Sequence, residues 1–183
     1  MLNFIQIQLF ALLPHLLVAY RVSHVSECGI SRDLQDQYIA WGISKDSQMG
    51  NDTVFDCHFT NSQRNAVHLS HNIHKNNLIL EGATSMLLKD SYAEVQEGRL
   101  FCGGEWMLDN TLIDDGERNQ MHHIRSGKYT LLFVHGELNE NGKKSMHSLS
   151  GRNAPWISNE QVRFCEKCSK ANPHIDLFVA KTS

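Results

Sequence analysis

The sequence predicts an all-β domain, an antiparallel β-sandwich, on three observations. Short stretches alternate apolar and polar residues at period two, which gives a strand one buried and one exposed face. Asn, Asp, Gly and Ser cluster between them as turn formers. No segment sustains the 3.6-residue apolar stripe of a packed helix; 109–120 is acidic and lacks one. Strands that follow one another without intervening helices bury their apolar faces sheet on sheet. Helix is therefore expected in under about a fifth of the domain, against a globular mean of roughly 30–35%.

The elements are justified in order. Residues 9–20 are apolar apart from Pro14 and His15. That is short of the roughly 20 residues of a spanning helix and suits a signal-peptide core. Residues 1–23 are thus expected to be a signal peptide, cleaved after Ala19 or near 23–26, with an uncleaved N-terminal anchor as the alternative. The domain then occupies 24–165 and a tail 166–183. In 38–44, Ile39, Trp41 and Ile43 share one face of a half-buried strand. A turn-rich loop, 45–53, leads to a second strand over 54–60. The Asn- and His-rich stretch that follows reads as loop up to a short strand at 78–80. A strand over 99–107 carries a bulge at Gly103 and Gly104. The strongest strand, 128–135, is apolar on both faces and is expected to be central. A turn at 139–142 and a return strand over 144–149 close the set.

Composition narrows the function classes. The 183 residues are 41% hydrophobic and 20% charged, which excludes a disordered chain. Seventeen basic residues stand against 20 acidic ones, and no run of Lys or Arg exceeds two. That argues against a nucleic-acid surface. Beyond the leader no apolar stretch approaches a membrane span. GxSxG, P-loop, HExxH and strand-following GxGxxG motifs are absent, so nothing supports a hydrolase-type enzyme. His68, His71 and His74 would share a helix face at their spacing of three, but their surroundings read as loop.

The five cysteines, Cys28, Cys57, Cys102, Cys165 and Cys168, are spread as in a secreted disulfide framework, the odd count leaving one thiol over or one intermolecular bond. Cys57 and Cys102 both lie on expected core strands and are expected to pair. Cys28 then pairs with Cys165 or Cys168. The lone CxxC lacks the second half of a zinc site. Ser169 stands where a covalently attached haem would need His. Asn51, in Asn51-Asp52-Thr53, is the only N-glycosylation sequon.

The run Tyr38-Ile-Ala-Trp-Gly-Ile-Ser-Lys-Asp-Ser-Gln-Met-Gly-Asn-Asp-Thr-Val-Phe-Asp-Cys57 resembles the DOMON domain. That family has an aromatic–apolar strand ending in Gly-x-Ser, an acidic Met-Gly loop, and a strand ending near Cys. Gly98-Arg-Leu-Phe-Cys102, Tyr129-Thr-Leu-Leu-Phe-Val-His-Gly136 and Ser158-Asn-Glu-Gln-Val162 are similar to later family segments. The likeness spans about residues 25–165. It implies an Ig-like antiparallel β-sandwich that binds haem b or a sugar. In haem-binding members a Met and a His clamp the iron, and these match Met49 and His147. Thioether and imidazole are a recognised axial pair for electron transfer. The expected function is a secreted module carrying one electron through haem b, with Phe55, Phe133 and Trp156 as apolar walls and a redox protein as partner. His135, on the strong strand, competes for the iron but reads as a core residue. The alternative is a haem-free extracellular module for a glycan or a protein partner.

Overall fold

The computed structural model describes residues 6–12, 15–22, 36–61, 64–74, 76–96, 99–107, 110–124, 127–147, 149–150 and 154–162. Ten strands run β1 Gln6–Leu12, β2 His15–Val22, β3 Gln37–Ser44, β4 Thr53–Phe59, β5 Ala66–Ile73, β6 Asn76–Ile79, β7 Leu88–Gln96, β8 Arg99–Met107, β9 Thr130–Glu137 and β10 Trp156–Ile157. Two short helices, α1 Glu81–Leu87 and α2 Asp115–Arg118, and a 3-10 turn at Asn110–Leu112 are the named helical elements. The strands form a six-stranded sheet, β10-β9-β3-β4-β5-β6, and a four-stranded sheet, β1-β2-β8-β7. Every pairing is antiparallel. The all-β sandwich read from the sequence is the fold.

Alternation explains how the sheets pack. Ile39, Trp41 and Ile43 on β3, Phe55, Cys57 and Phe59 on β4, and Leu131 and Phe133 on β9 face the four-stranded sheet. From that sheet Leu100, Cys102 and Trp106 on β8 meet them. Trp106, 0% exposed, packs edge-on against Trp41 with ring centroids 6.2 Å apart. Cys57 and Cys102 are joined across the core, Cα atoms 6.2 Å apart, the pair expected from the sequence.

Several elements differ from expectation. The stretch read as loop before residue 78 contains β5, which buries Val67 and Leu69. Its other face holds His68, Ser70 and Asn72, of which Ser70 bonds Asp56 and Asn72 bonds Asp52, so the apolar half of the alternation stands out less. His68 and His71 lie on this strand, three apart, and so point to opposite faces. Among the described residues no group of three His, Cys, Asp or Glu side chains is placed to hold a metal ion. The irregularity expected at Gly103 and Gly104 belongs to β7, whose register shifts between Lys89 and Tyr92. Gly104 accommodates it: a Cβ there would lie 3.0 Å from the Cβ of Ser91. β9 is next to the sheet edge, not central, and is flanked by the two residues of β10. The return strand expected over 144–149 reduces to one bridge, Leu138 with Lys144.

The segment expected as a leader forms a hairpin of β1 and β2, and β2 pairs with β8 over its full length. No described helix is long and apolar enough to cross a membrane. Cys28, Cys165 and Cys168 lie outside the described residues.

Candidate functional site

The loop between β3 and β4 is built around two aspartates. The Asp46 carboxylate accepts the Gln48 N–H at 2.8 Å, and Asp52 accepts the Gly50 N–H at 2.8 Å. Asp52 is 0% exposed and also takes the Asn72 side-chain amide at 3.2 Å. Backbone bonds join the loop to the end of β5, Asn51 N–H to the Asn72 carbonyl (2.7 Å) and Asn72 N–H to the Asp52 carbonyl (3.0 Å). Between these pinned neighbours Met49 stands 47% exposed. A buried carboxylate thus holds an apolar thioether out in water. The bracket needs Gly50, whose φ is 140°, and Asn51, whose φ is 58°. Asn tolerates the left-handed region, and Gly50 lies where other side chains are strained. Gly50→Ala is therefore expected to cost about 1–3 kcal/mol. Urea unfolding measures this; a change under about 0.5 kcal/mol, the usual size at a featureless surface position, would show the bracket to be unstrained.

His147 follows a hairpin that folds over the other face of the six-stranded sheet, away from the core. The Asn139 side chain accepts the Asn141 and Lys143 N–H groups at 3.0 Å and closes the turn. The Ser145 N–H reaches the Glu137 carbonyl (2.8 Å), and the Tyr38 hydroxyl donates to the Ser145 carbonyl (3.2 Å). The Lys144 ammonium lies 2.5 Å from the fully buried Asp56 carboxylate, which also bonds the Ser70 hydroxyl. Tyr38, Ala40, Val54, Leu138 and Val134 form a small apolar cluster beneath. Beyond it His147 is half-buried, with Met146 85% and Leu149 73% exposed on either side.

The expected site residues are thus placed on different parts of the fold. Met49 follows the end of β3, while Ser145, two residues before His147, is tied to its start. The outward-facing positions of β3 between those ends are Ala40 and Gly42, flanked by Val134 and Leu132 on β9. The apolar walls expected from Phe55, Phe133 and Trp156 lie elsewhere. All three face the core between the sheets: Phe55 and Phe133 pair in register with Trp41 on the inward face, and Trp156 pairs with Phe133. His135 pairs with Ile39 on that same inward face and is half-buried, as a core-edge residue. Asn51, the sequon residue, is exposed.

Two arrangements were not read from the sequence. On the outer face His58 and His68 stack edge to face, centroids 5.0 Å apart. Burial pushes the His58 imidazole down to about 4, against the opposing pull of Asp56. Burial lowers His68 as well. The second is a cleft of about 700 Å³ at the end of the sandwich beside the Met49 loop. Lys45, Asn51, Gln120, His122, Lys128 and Tyr129 are among its lining residues. The rings of His122 and Tyr129 stack with centroids 5.6 Å apart. The His122 N–H of the backbone donates to the Thr53 hydroxyl at 2.6 Å, fixing this segment to β4. Burial, then the Lys45 charge, lowers the His122 imidazole. These residues come from four separate stretches of sequence, so no motif announced them.

No family model matches this sequence, and no curated protein or solved structure matches it either. What the chain defines on its own is a disulfide-bridged antiparallel β-sandwich. Among the described residues, a bracketed loop methionine and a polar cleft stand side by side on its surface.

Proposed function

We propose that this chain is a secreted, DOMON-like module that holds haem b between Met49 and His147 and carries one electron. The observation that supports this reading most is the Met49 bracket. Two carboxylates and a glycine fix the loop so that a soft sulfur donor, rather than a polar side chain, stands in solvent. The donor types suit such a group, one thioether and one partly exposed imidazole, but Met49 follows the end of β3 and His147 stands near its start, so both reach one iron only if the hairpin that carries His147 swings toward the Met49 loop. Of the outward row, Ala40 and Gly42 are buried; half-buried Leu132 and Val134 on β9 are its remaining apolar surface, in place of Phe55, Phe133 and Trp156. When bound, the group supplies one-electron transfer, and two protein ligands leave its iron closed to substrate. The chain's own part is to hold sulfur and imidazole in place. Asp46 and Asp52 fix the first, and the Lys144–Asp56 and Tyr38–Ser145 contacts fix the second.

Reconstitution with haem tests this. Wild-type protein is expected to take up one equivalent and give a low-spin spectrum. Met49→Leu and His147→Ala each lose the low-spin form, while His135→Ala keeps it. No uptake by the wild type, or loss in His135→Ala alone, would sink the assignment. A second reading is favoured by the cleft, which neither Met49 nor His147 lines: a haem-free extracellular module whose ligand is a glycan.

A further inference from the structure

The cleft beside the Met49 loop carries a charge pattern that its surroundings do not share. The chain has three more acidic than basic residues, yet among the described residues no Asp or Glu lines the cleft. Lys45, Lys128, His122 and His123 do, together with the amides of Asn51, Asn119, Gln120 and Gln161. The carboxylate that acts on His122, Asp52, is fully buried and is not part of the lining. Amides and imidazoles read hydroxyl groups; ammonium groups read an anion.

Two residues of the lining carry a signal independent of charge. The side-chain oxygen of Gln120 and Nε2 of His122 are buried behind its surface and have no hydrogen-bond partner among the described residues, so a ligand reaches them only by displacing what covers them. Such atoms cost roughly 1–3 kcal/mol each unless something completes them. A neutral imidazole has one donor and one acceptor nitrogen, so Nε2 of His122 takes a hydroxyl in either tautomer. Both atoms therefore call for hydroxyl groups.

We infer that the cleft binds a small hydroxylated carboxylate, a sugar acid, with the carboxylate at Lys45 and Lys128 and hydroxyls on Gln120 and His122. This deepens the second of the two readings above and does not depend on haem. A neutral sugar offers the hydroxyls without the anion, and a simple carboxylate offers the anion without the hydroxyls. Neither alone accounts for both halves of the lining.

Titration of the full chain with D-glucuronate, D-glucose and acetate, followed by calorimetry and amide NMR, tests the assignment. Glucuronate is expected to bind about tenfold or more tighter than either of the others, a difference of about 1.4 kcal/mol. Its shift changes centre on residues 45, 119–123 and 128–129. Replacing both lysines, Lys45→Met with Lys128→Met, removes that preference while leaving glucose binding as it was. Lys89→Met on the other sheet leaves it intact. His122→Phe weakens glucuronate and glucose alike. If glucose binds in the cleft as tightly as glucuronate, the anion assignment is overturned but a glycan-binding cleft survives. If none of the three perturbs those residues, both are overturned.

Discussion

Replacing Cys57 and Cys102 together by alanine is expected to lower the stability of the protein by about 4 kcal/mol. The bridge closes a loop with a sequence separation of 45 residues. In the chain-entropy account, a loop of that length removes about 4 kcal/mol of freedom from the unfolded chain. Position adds to the case. Cys57 lies on β4 of the six-stranded sheet and Cys102 on β8 of the four-stranded sheet. Both are essentially unexposed, at 0% and 1%. Opening the bridge therefore loosens the hold of one sheet on the other at the centre of the core. Urea unfolding of the double variant against wild type gives the number, and peptide mapping without reductant confirms the partners. A loss under about 1 kcal/mol, below the typical range for a native bridge, would show that the sheets are held by packing alone.

The elements legible in the sequence are those where local pattern and tertiary environment agree. β3, β4 and β9 were readable because their inward residues are large and apolar, Trp41, Phe55 and Phe133 among them. β5 was not, because Val67 and Leu69 alternate with His68 and Ser70, and those polar residues find partners only once β4 lies alongside. α1 is seven residues long and buries only Ala83 and Leu87, too little for a helical period to emerge. Its first turn is completed from outside, by the Glu117 carboxylate accepting the Gly82 and Ala83 N–H groups at 3.0 and 2.5 Å.

The candidate site divides in the same way. The loop holding Met49 was visible because its turn residues are contiguous. That Asp46 and Asp52 clamp it was not visible, since which N–H a carboxylate accepts is a matter of backbone path. Of the chain's 11 histidines, four have their imidazoles held below the ordinary value by burial. Burial of this kind arises from neighbours distant in sequence, and a spacing rule along the chain has no access to it.

Those buried imidazoles give the protein an expected weakness in mild acid, with His58 the largest contributor. Burial, the principal cause, holds its folded value at about 4 against an ordinary 6.5. The folded ring is then neutral between those values, while the unfolded ring takes up a proton. The unfolded state binds more protons in that window, so stability rises with pH across it. The full contribution is present above about pH 6.5 and is lost as pH falls toward 4. A shift from 6.5 to about 4 corresponds to about 3 kcal/mol at 1.36 kcal/mol per unit. Burial lowers His68, His71 and His122 too, so each adds to the loss with the same sign. His68 is coupled to His58 by their edge-to-face contact and by the Asp56 carboxylate that pulls both upward. The measurement is urea unfolding at several pH values between 7 and 4, for wild type and for His58→Gln, whose side chain does not titrate. Wild type is expected to lose about 3 kcal/mol more than the variant over that range. His58→Gln is less stable than wild type at pH 7 if the imidazole packs better than the amide, but the difference must shrink or reverse as the pH falls. Parallel curves for the two proteins would mean that His58 is protonated as readily in the fold as out of it, and that water reaches the outer face of the sheet beneath the Lys144 hairpin.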